Sequence, residues 1–177
     1  LPDDFDYKPI KVVCDSAGRI FVASRGFNYG LIELDRNGKF VQMLGASEVT
    51  YSLSEVIWRF LSTKAMKDRM AAFVPAEYNN ISIDSEGFIF ATTGTAASQP
   101  KDSTPVRKIN AKGTDVLRRE GAPVADLQTT SVGTLKGQSM IVDVTNMPNG
   151  IYAILDQKRG RVFVYNLDGN MLFEFGG

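Results

Sequence analysis

The sequence contains no histidine among its 177 residues. Histidine is the commonest general base and the commonest protein ligand of zinc. Its absence therefore excludes Ser-His-Asp catalysis, Cys-His catalysis and histidine-bound zinc within this chain. A single cysteine, Cys14, rules out an internal disulfide. Because Cys14 lies in the strand-like segment IKVVCD, we expect a buried and unreactive side chain.

An excess of one charge and a long apolar run are also missing. The 20 basic residues balance the 20 acidic residues, so that no basic face for nucleic acid or for an anionic membrane surface is expected. No apolar run approaches the ~20 residues that a membrane-spanning helix needs. Hydrophobic residues nevertheless make up 44% of the chain, which is enough to build the core of one domain.

The clearest pattern lies between Met140 and Gly177. Four short apolar runs, VDV, IYAIL, RVFVYN and MLFEF, are separated by NMPNG, DQKRG and LDG. Runs of β-branched and aromatic residues between Asn, Gly and Asp clusters are typical of strands joined by tight turns. This segment is therefore predicted to form a four-stranded antiparallel meander.

Two looser copies of the pattern come earlier in the chain. The first runs from IKVVCDSAGRIFVAS to LIELDRNGKFVQMLG, and the second from ISIDSEGFIFATT to VRKINAKGTDVLRREG. Repeated meanders predict a β-propeller, because one blade cannot bury both of its faces alone. We expect a mainly β chain with three four-stranded blades at residues 9–46, 78–121 and 139–177, a helical insertion at 47–77 and a linker at 122–138.

These copies resemble the NHL repeat. The features in common are a DxxG turn, a strand such as IFVA or IYAI, a polar loop, a strand such as RVFVYN, an N-G or D-G turn and an FG ending. The third copy matches best, with Asp156 at the position of the family's aspartate and Arg161 opening the third strand. The first two copies have Ser24 and Thr93 at the aspartate position. The resemblance implies a six-bladed ring, of which this chain supplies about three blades.

The insertion between the first two copies has the spacing of an amphipathic helix. SLSEVIWRFLSTKAMKDRMAAF brings apolar side chains near one face, and Pro75 would end the helix. The apolar face would pack against the blades. Alternatively, the helix would cover the channel or present Trp58 and Phe60 to a partner.

Three blades do not close a ring, since propellers usually have four to eight. The outer faces of the end blades would then expose large apolar surfaces. We therefore expect either a fragment of a longer chain or two copies that together make six blades. In both cases the isolated chain should self-associate through its end blades.

Ligand sites of propellers lie in loops around the central channel. The candidate residues there are Arg25, Asn28, Tyr29, Thr93, Asp156, Lys158 and Arg159. The competing interpretation is structural, with Asp15 and Asp84 bonding turn backbone, and Lys158 and Arg159 forming a solvated hairpin tip.

The resemblance favours a binding or scaffolding module for a protein, a peptide or a carbohydrate, without a cofactor. The alternative is an enzyme similar to six-bladed lactonases, in which a calcium ion held by Glu, Asn and Asp oxygens would activate water without histidine. A propeller of the peptide-amidating lyase type would rely on histidine-bound zinc, which this chain cannot provide. By family analogy, we expect a bacterial and extracytoplasmic setting.

Overall fold

The computed structural model describes residues 7–27, 30–45, 77–93, 104–121, 131–132, 135–136 and 139–176. Within these ranges the chain is mainly β, as predicted. The predicted helical insertion, including Trp58 and Phe60, lies outside the described residues, and so do Asn28 and Tyr29.

The strands form three stacked antiparallel sheets, which we call blades 1 to 3, and one short hairpin. Blade 1 contains β1 (Lys8–Cys14), β2 (Ile20–Arg25), β3 (Leu31–Leu34) and β4 (Phe40–Leu44). Blade 2 contains β5 (Tyr78–Ile83), β6 (Ile89–Thr93) and β7 (Val106–Ile109). The hairpin, in the predicted linker, is β8 (Ser131–Val132) and β9 (Leu135–Lys136). Blade 3 contains β10 (Ile141–Asn146), a 3-10 turn (Pro148–Gly150), β11 (Tyr152–Asp156), β12 (Arg161–Tyr165) and β13 (Met171–Gly176).

Local side-chain chemistry forms the tight turns. Asp15 Oδ1 accepts hydrogen bonds from the backbone N–H groups of Ala17 (3.0 Å) and Arg19 (2.8 Å). Asp84 Oδ1 accepts them from Glu86 (3.0 Å) and Phe88 (2.9 Å). Asp and Asn favour such turns because the carboxylate or amide oxygen reaches N–H groups two and four residues ahead. The predicted structural role of these two aspartates is confirmed.

Hydrophobic contacts join the blades in chain order. Side chains of alternate residues point to opposite faces of a strand, so that β6, which is buried throughout, serves two interfaces. The core between blades 1 and 2 contains Phe21, Ala23, Leu31, Leu44, Tyr78, Ile81, Ile89, Ala91 and Ile109. The core between blades 2 and 3 contains Phe90, Val106, Leu117, Ile141, Val144, Tyr152, Ile154, Phe163 and Tyr165.

Blade 2 has three strands in one sheet where four were predicted. After β7, the backbone pairs with the sheet only through the bridge at Asp115 and the bond from Val116 N to Lys108 O (2.7 Å). Beyond that point side-chain hydrogen bonds replace backbone pairing: Arg119 Nη2 donates to Val106 O (2.8 Å) and to Asp115 Oδ2 (2.6 Å). The backbone groups of β7 are therefore satisfied without a fourth strand.

The prediction that Cys14 is buried is wrong, because this residue is exposed. β1 is the edge strand of blade 1, with β2 as its one neighbour in the sheet. Val13 packs against the core between blades 1 and 2, whereas Val12 and Cys14 point to the opposite face, where Val12 is also exposed. The alternation was correct, but none of the described residues packs over Val12 and Cys14 on this face.

Candidate functional site

Connections in an antiparallel meander alternate between the two ends of a blade. At one end, which we call the loop end, lie the connections between the second and third strands of each blade. At the other, the turn end, lie the tight turns that begin at Asp15, Asp84 and Asn146 and those that follow β3, β7 and β12.

The described members of the predicted channel set all lie at the loop end. They are Arg25, Thr93, Asp156, Lys158 and Arg159. They belong to three successive blades, and no hydrogen bond or ion pair between members of different blades occurs among the described residues. Arg25 and Lys158 are exposed, whereas the other three are buried.

Ser24, Thr93 and Asp156 occupy the same position, at or near the end of the second strand of each blade, and all three are buried. Ser24 Oγ accepts a hydrogen bond from Lys8 N (3.0 Å), and Asp156 Oδ1 accepts one from Met140 N (3.0 Å). In both blades this side chain therefore ties the start of the first strand to the end of the second. The contacts support a structural role, which a hydroxyl oxygen can fill as well as a carboxylate.

Asp156 also has a structural role in the hairpin tip that follows it. Asp156 Oδ1 also accepts hydrogen bonds from Lys158 N (3.0 Å) and Arg159 N (3.3 Å). The carboxylate thus organises the turn, and the turn leaves the Lys158 side chain in solvent. Of the predicted set, Arg25 and Lys158 are the described cations that a partner could reach at this end.

A cavity of about 660 Å³ lies at the turn end, between blades 2 and 3. A second cavity of about 210 Å³ shares part of its lining, and we call the two together the interblade cleft. The walls are the first turns of blades 2 and 3, the last turn of blade 3, and the segment 116–118 that leaves blade 2. The main lining residues are Asp84, Glu86, Phe88, Phe90, Lys108, Asn146, Met147, Gly150, Tyr152 and Leu167.

Lys108 is the buried cation of this cleft. It is only 9% exposed, and its Nζ lies 3.1 Å from Asp84 Oδ2. The ammonium also sits over the rings of Phe88 and Phe90, at 4.4 and 5.2 Å from the centroids. An ammonium carries three N–H donors, and among the described residues Asp84 is the one acceptor of the Lys108 ammonium. Lys108 can therefore donate to an oxygen atom of a ligand in the cleft.

Tyr152 adds a second polar group to the smaller cavity. Its ring stacks on Tyr165 at 5.3 Å and lies 5.5 Å from Phe90. Burial raises the pKa of Tyr152, and the neighbouring Tyr165 adds to this shift. The phenol stays protonated at neutral pH, and its hydroxyl has no hydrogen bond within the described part of the chain.

The cleft exists because blade 2 lacks a fourth strand. In blade 1 the position of Lys108 is taken by Glu33, which β4 covers: Gln42 Nε2 donates to Glu33 Oε2 at 2.7 Å. In blade 2 the chain instead runs across to blade 3, where Glu120 N donates to Asp168 O at 2.9 Å. Lys108 is thus left facing space that a side chain of a fourth strand would fill.

Lys108 is not among the candidate site residues predicted from the sequence. The available signal was weak: a lysine stands at an inward position of the alternating strand VRKI. Its importance depends on the missing strand and on the approach of blade 3. For the calcium-dependent alternative, no group of three or more acidic or cysteine residues suited to a metal occurs among the residues described.

The architecture is that of a propeller-like β protein, with antiparallel meanders stacked face to face. Among solved structures, the chain is similar to virginiamycin B lyase from Staphylococcus aureus, a β-propeller, with a TM-score of 0.55 and 16% identity over 98% of this chain and 43% of that chain. It is also similar to the extracellular domain of a putative hybrid two-component system from B. thetaiotaomicron, with a TM-score of 0.48 and 15% identity over 99% of this chain and 19% of that one.

The present chain thus spans less than half of either structure, and at these identities the likeness concerns the fold alone. No protein-family model matches the sequence, and no curated protein matches it. The propeller prediction is confirmed, while membership of the NHL family stays a prediction. Within the ranges described, no helix is long and apolar enough to cross a membrane.

Proposed function

We propose that this propeller is a binding module and that its ligand, a short peptide segment, occupies the interblade cleft. The observation that carries the proposal is the Lys108 ammonium, nine-tenths buried, with one carboxylate partner at 3.1 Å and open space beside it. A buried charge is costly unless its hydrogen-bonding capacity is used. A ligand oxygen that accepts from Lys108 would therefore bind more strongly there than at an exposed lysine.

The lining favours a peptide over a highly charged ligand. Asp84 and Glu86 offset Lys108 and Arg118, so that the cleft carries no net charge. A backbone carbonyl can accept from Lys108, while an apolar side chain packs against Met147 and Leu167. The volume of about 660 Å³ lies within the ~300–1,000 Å³ that small-ligand sites usually have.

Calorimetric titration with a library of N-acetylated tripeptides tests the proposal. We expect one or more tripeptides to bind, and Lys108→Met to weaken binding by about tenfold or more, because charge-assisted hydrogen bonds contribute roughly 1.5–3 kcal/mol. Lys112→Met is the matched control, since Lys112 is exposed on the last turn of the same blade. Equal losses in both variants, or the absence of any binding tripeptide, would reject the proposal.

A second variant protects the test against misfolding. Lys108→Met leaves Asp84 without its cation, whereas Leu167→Trp adds volume at an exposed position on the wall of the cleft and leaves the Lys108–Asp84 pair intact. This variant should fold normally and should also weaken tripeptide binding. Binding that survives in Leu167→Trp would place the ligand elsewhere.

The exposed described members of the predicted channel-loop set lie at the loop end, away from the cleft. Arg25 and Lys158 are exposed there, and they are available to a larger protein partner or to a carbohydrate. Because they lie at the opposite end of the blades from the cleft, Arg25→Ser combined with Lys158→Ser should leave tripeptide affinity unchanged. A loss of affinity in this double variant would move the proposed site to the loop end.

A further inference from the structure

The Tyr152 hydroxyl is a polar group that opens onto the smaller cavity of the interblade cleft. The side chain is 1% exposed, and its oxygen has no hydrogen bond within the described part of the chain. This oxygen nevertheless does not belong to the described side-chain atoms that are both closed to solvent and unbonded. The accessible part of the side chain is therefore at the hydroxyl, which faces the cavity that Tyr152 lines.

Neighbouring rings fix the position of this hydroxyl. Tyr165 stacks on Tyr152 with the ring centroids 5.3 Å apart and the planes at 12°, and the Phe90 ring lies at 5.5 Å. All three residues are buried. A side chain that is already fixed loses little conformational freedom when a ligand binds. The hydroxyl can therefore select for a ligand group that matches its position.

The smaller cavity has the size and the lining for one aromatic side chain. Its volume is about 210 Å³, whereas a cavity of about 150 Å³ is large enough for benzene. A six-membered ring with one small polar substituent therefore fits this volume. Around the Tyr152 ring, the apolar lining consists of Phe88, Phe90, Val116, Leu117 and Leu167. Aromatic rings in such a lining favour an aromatic partner.

The charged residues that border this cavity favour a neutral group inside it. Arg118 forms a surface ion pair, with its side chain 62% exposed, and Glu86 is exposed as well. Lys108 is paired with Asp84 and, under the proposed function, donates to a ligand carbonyl. The Tyr152 hydroxyl is therefore the polar group left for the ligand side chain. A neutral hydroxyl is less costly to transfer from water to this site than an ion.

We infer, on the basis of the proposed function, that the smaller cavity is the specificity pocket of the cleft and receives the side chain of a tyrosine of the peptide. The two cavities share Phe90 and Lys108 in their linings. One ligand residue can therefore place its carbonyl at Lys108 and its phenol in the smaller cavity. The two hydroxyls form a hydrogen bond there, since each can donate and accept. Phenylalanine fills the same space but leaves Tyr152 without a partner.

Calorimetric titration with two N-acetylated and C-terminally amidated tripeptides, glycyl-tyrosyl-glycine and glycyl-phenylalanyl-glycine, tests this pocket. The unmodified chain should bind the tyrosine tripeptide about tenfold more tightly, because sites that hydrogen-bond a ligand hydroxyl discriminate against the analogue that lacks it. Tyr152→Phe should remove this preference. The variant should bind the phenylalanine tripeptide at least as tightly as the unmodified chain does, which also shows that it is folded.

Tyr78→Phe is the matched control. Tyr78 is also 1% exposed, but it belongs to the core between blades 1 and 2, so that this variant should keep the preference for tyrosine. Equal affinities of the two tripeptides for the unmodified chain would overturn the tyrosine pocket, and a loss of both in Lys108→Met would show that the cleft still binds peptides.

Two other outcomes would also overturn the tyrosine pocket. A preference that survives in Tyr152→Phe would place the partner of the ligand hydroxyl elsewhere, and a preference that is lost equally in Tyr78→Phe would mean that the substitutions act through the fold. Failure of both tripeptides to bind, while other members of the tripeptide library do, would reject the pocket alone. Absence of any binding tripeptide would reject the proposed function together with the pocket.

Discussion

The hydrogen bond between Tyr78 and Gly45 joins blades 1 and 2, and its removal should lower stability measurably. Tyr78 opens β5 and is 1% exposed. Its Oη donates to Gly45 O at 2.9 Å, at the end of blade 1. Arg107 Nη1 lies 3.4 Å from the same hydroxyl. Tyr78→Phe keeps the ring in place and removes only the hydroxyl.

The expected loss of stability in Tyr78→Phe follows from the Gly45 carbonyl, which the variant leaves without its donor. A typical buried hydrogen bond contributes about 0.5–1.5 kcal/mol net, and a carbonyl left without a donor costs about 1–3 kcal/mol. Because Arg107 can move to compensate in part, we expect a loss of about 1–2 kcal/mol. For a chain of 177 residues this corresponds to a decrease of roughly 2–8 °C in the melting temperature.

Tyr152→Phe provides the control. Tyr152 is also 1% exposed, but its hydroxyl has no hydrogen bond within the described part of the chain. Urea unfolding should therefore give a free energy within about 0.5 kcal/mol of the unmodified protein, which is the usual range for a neutral change. Equal losses in the two variants, or no loss in Tyr78→Phe, would refute the idea that this contact stabilises the blade interface.

Two further predictions concern the acidic residues of the turns and hairpins. Partial burial opposes ionisation of Asp15, but the hydrogen bonds from Arg19 and Ala17 outweigh it and lower the pKa of Asp15. The contribution of Asp15 to stability is therefore present above the unfolded pKa of about 3.9. It is lost as the pH falls through the lower folded value. Asp15→Asn should flatten the dependence of urea unfolding on pH between about 2 and 4, and an unchanged slope would contradict this. Asp156→Asn keeps an acceptor for Met140 N and should be tolerated, whereas Asp156→Ala should cost about 1–3 kcal/mol; thermal melts of equal midpoint for the two would contradict the role of Asp156 as a strand tie.

Local signals explain why most of the fold could be predicted. The aspartates of the first turns, Asp15 and Asp84, bond the N–H groups ahead of them and need no distant partner. The β-branched and aromatic runs between such turns leave little choice other than short strands. Repetition of this unit then requires stacking, because each sheet has two apolar faces.

The absence of a fourth strand from the sheet of blade 2 could not be predicted by the same reasoning. The segment VLRREG alternates well enough to pair with β7, but Asp115 and Arg119 take the backbone groups that it would have used. The segment then follows contacts with Asp168 in blade 3. The course of this segment is decided by residues some fifty positions away, and a local sequence pattern contains no information about them. Cys14 shows a similar limit, since alternation tells which face a side chain points to but not whether that face is covered.

The position shared by Glu33, Lys108 and Val164 shows how one repeat differs from the others at the proposed site. All three lie one residue before the end of the third strand and on the same side of their blades. Glu33 is satisfied by Arg19 and Gln42, and Val164 needs no partner. Only Lys108 combines a charge with a missing fourth strand, and that combination leaves a desolvated donor beside an open cavity. Under the proposed function, the irregularity in blade 2 is therefore the feature that would turn a packing position into a binding position, and the same sheet with a regular fourth strand would have no cleft.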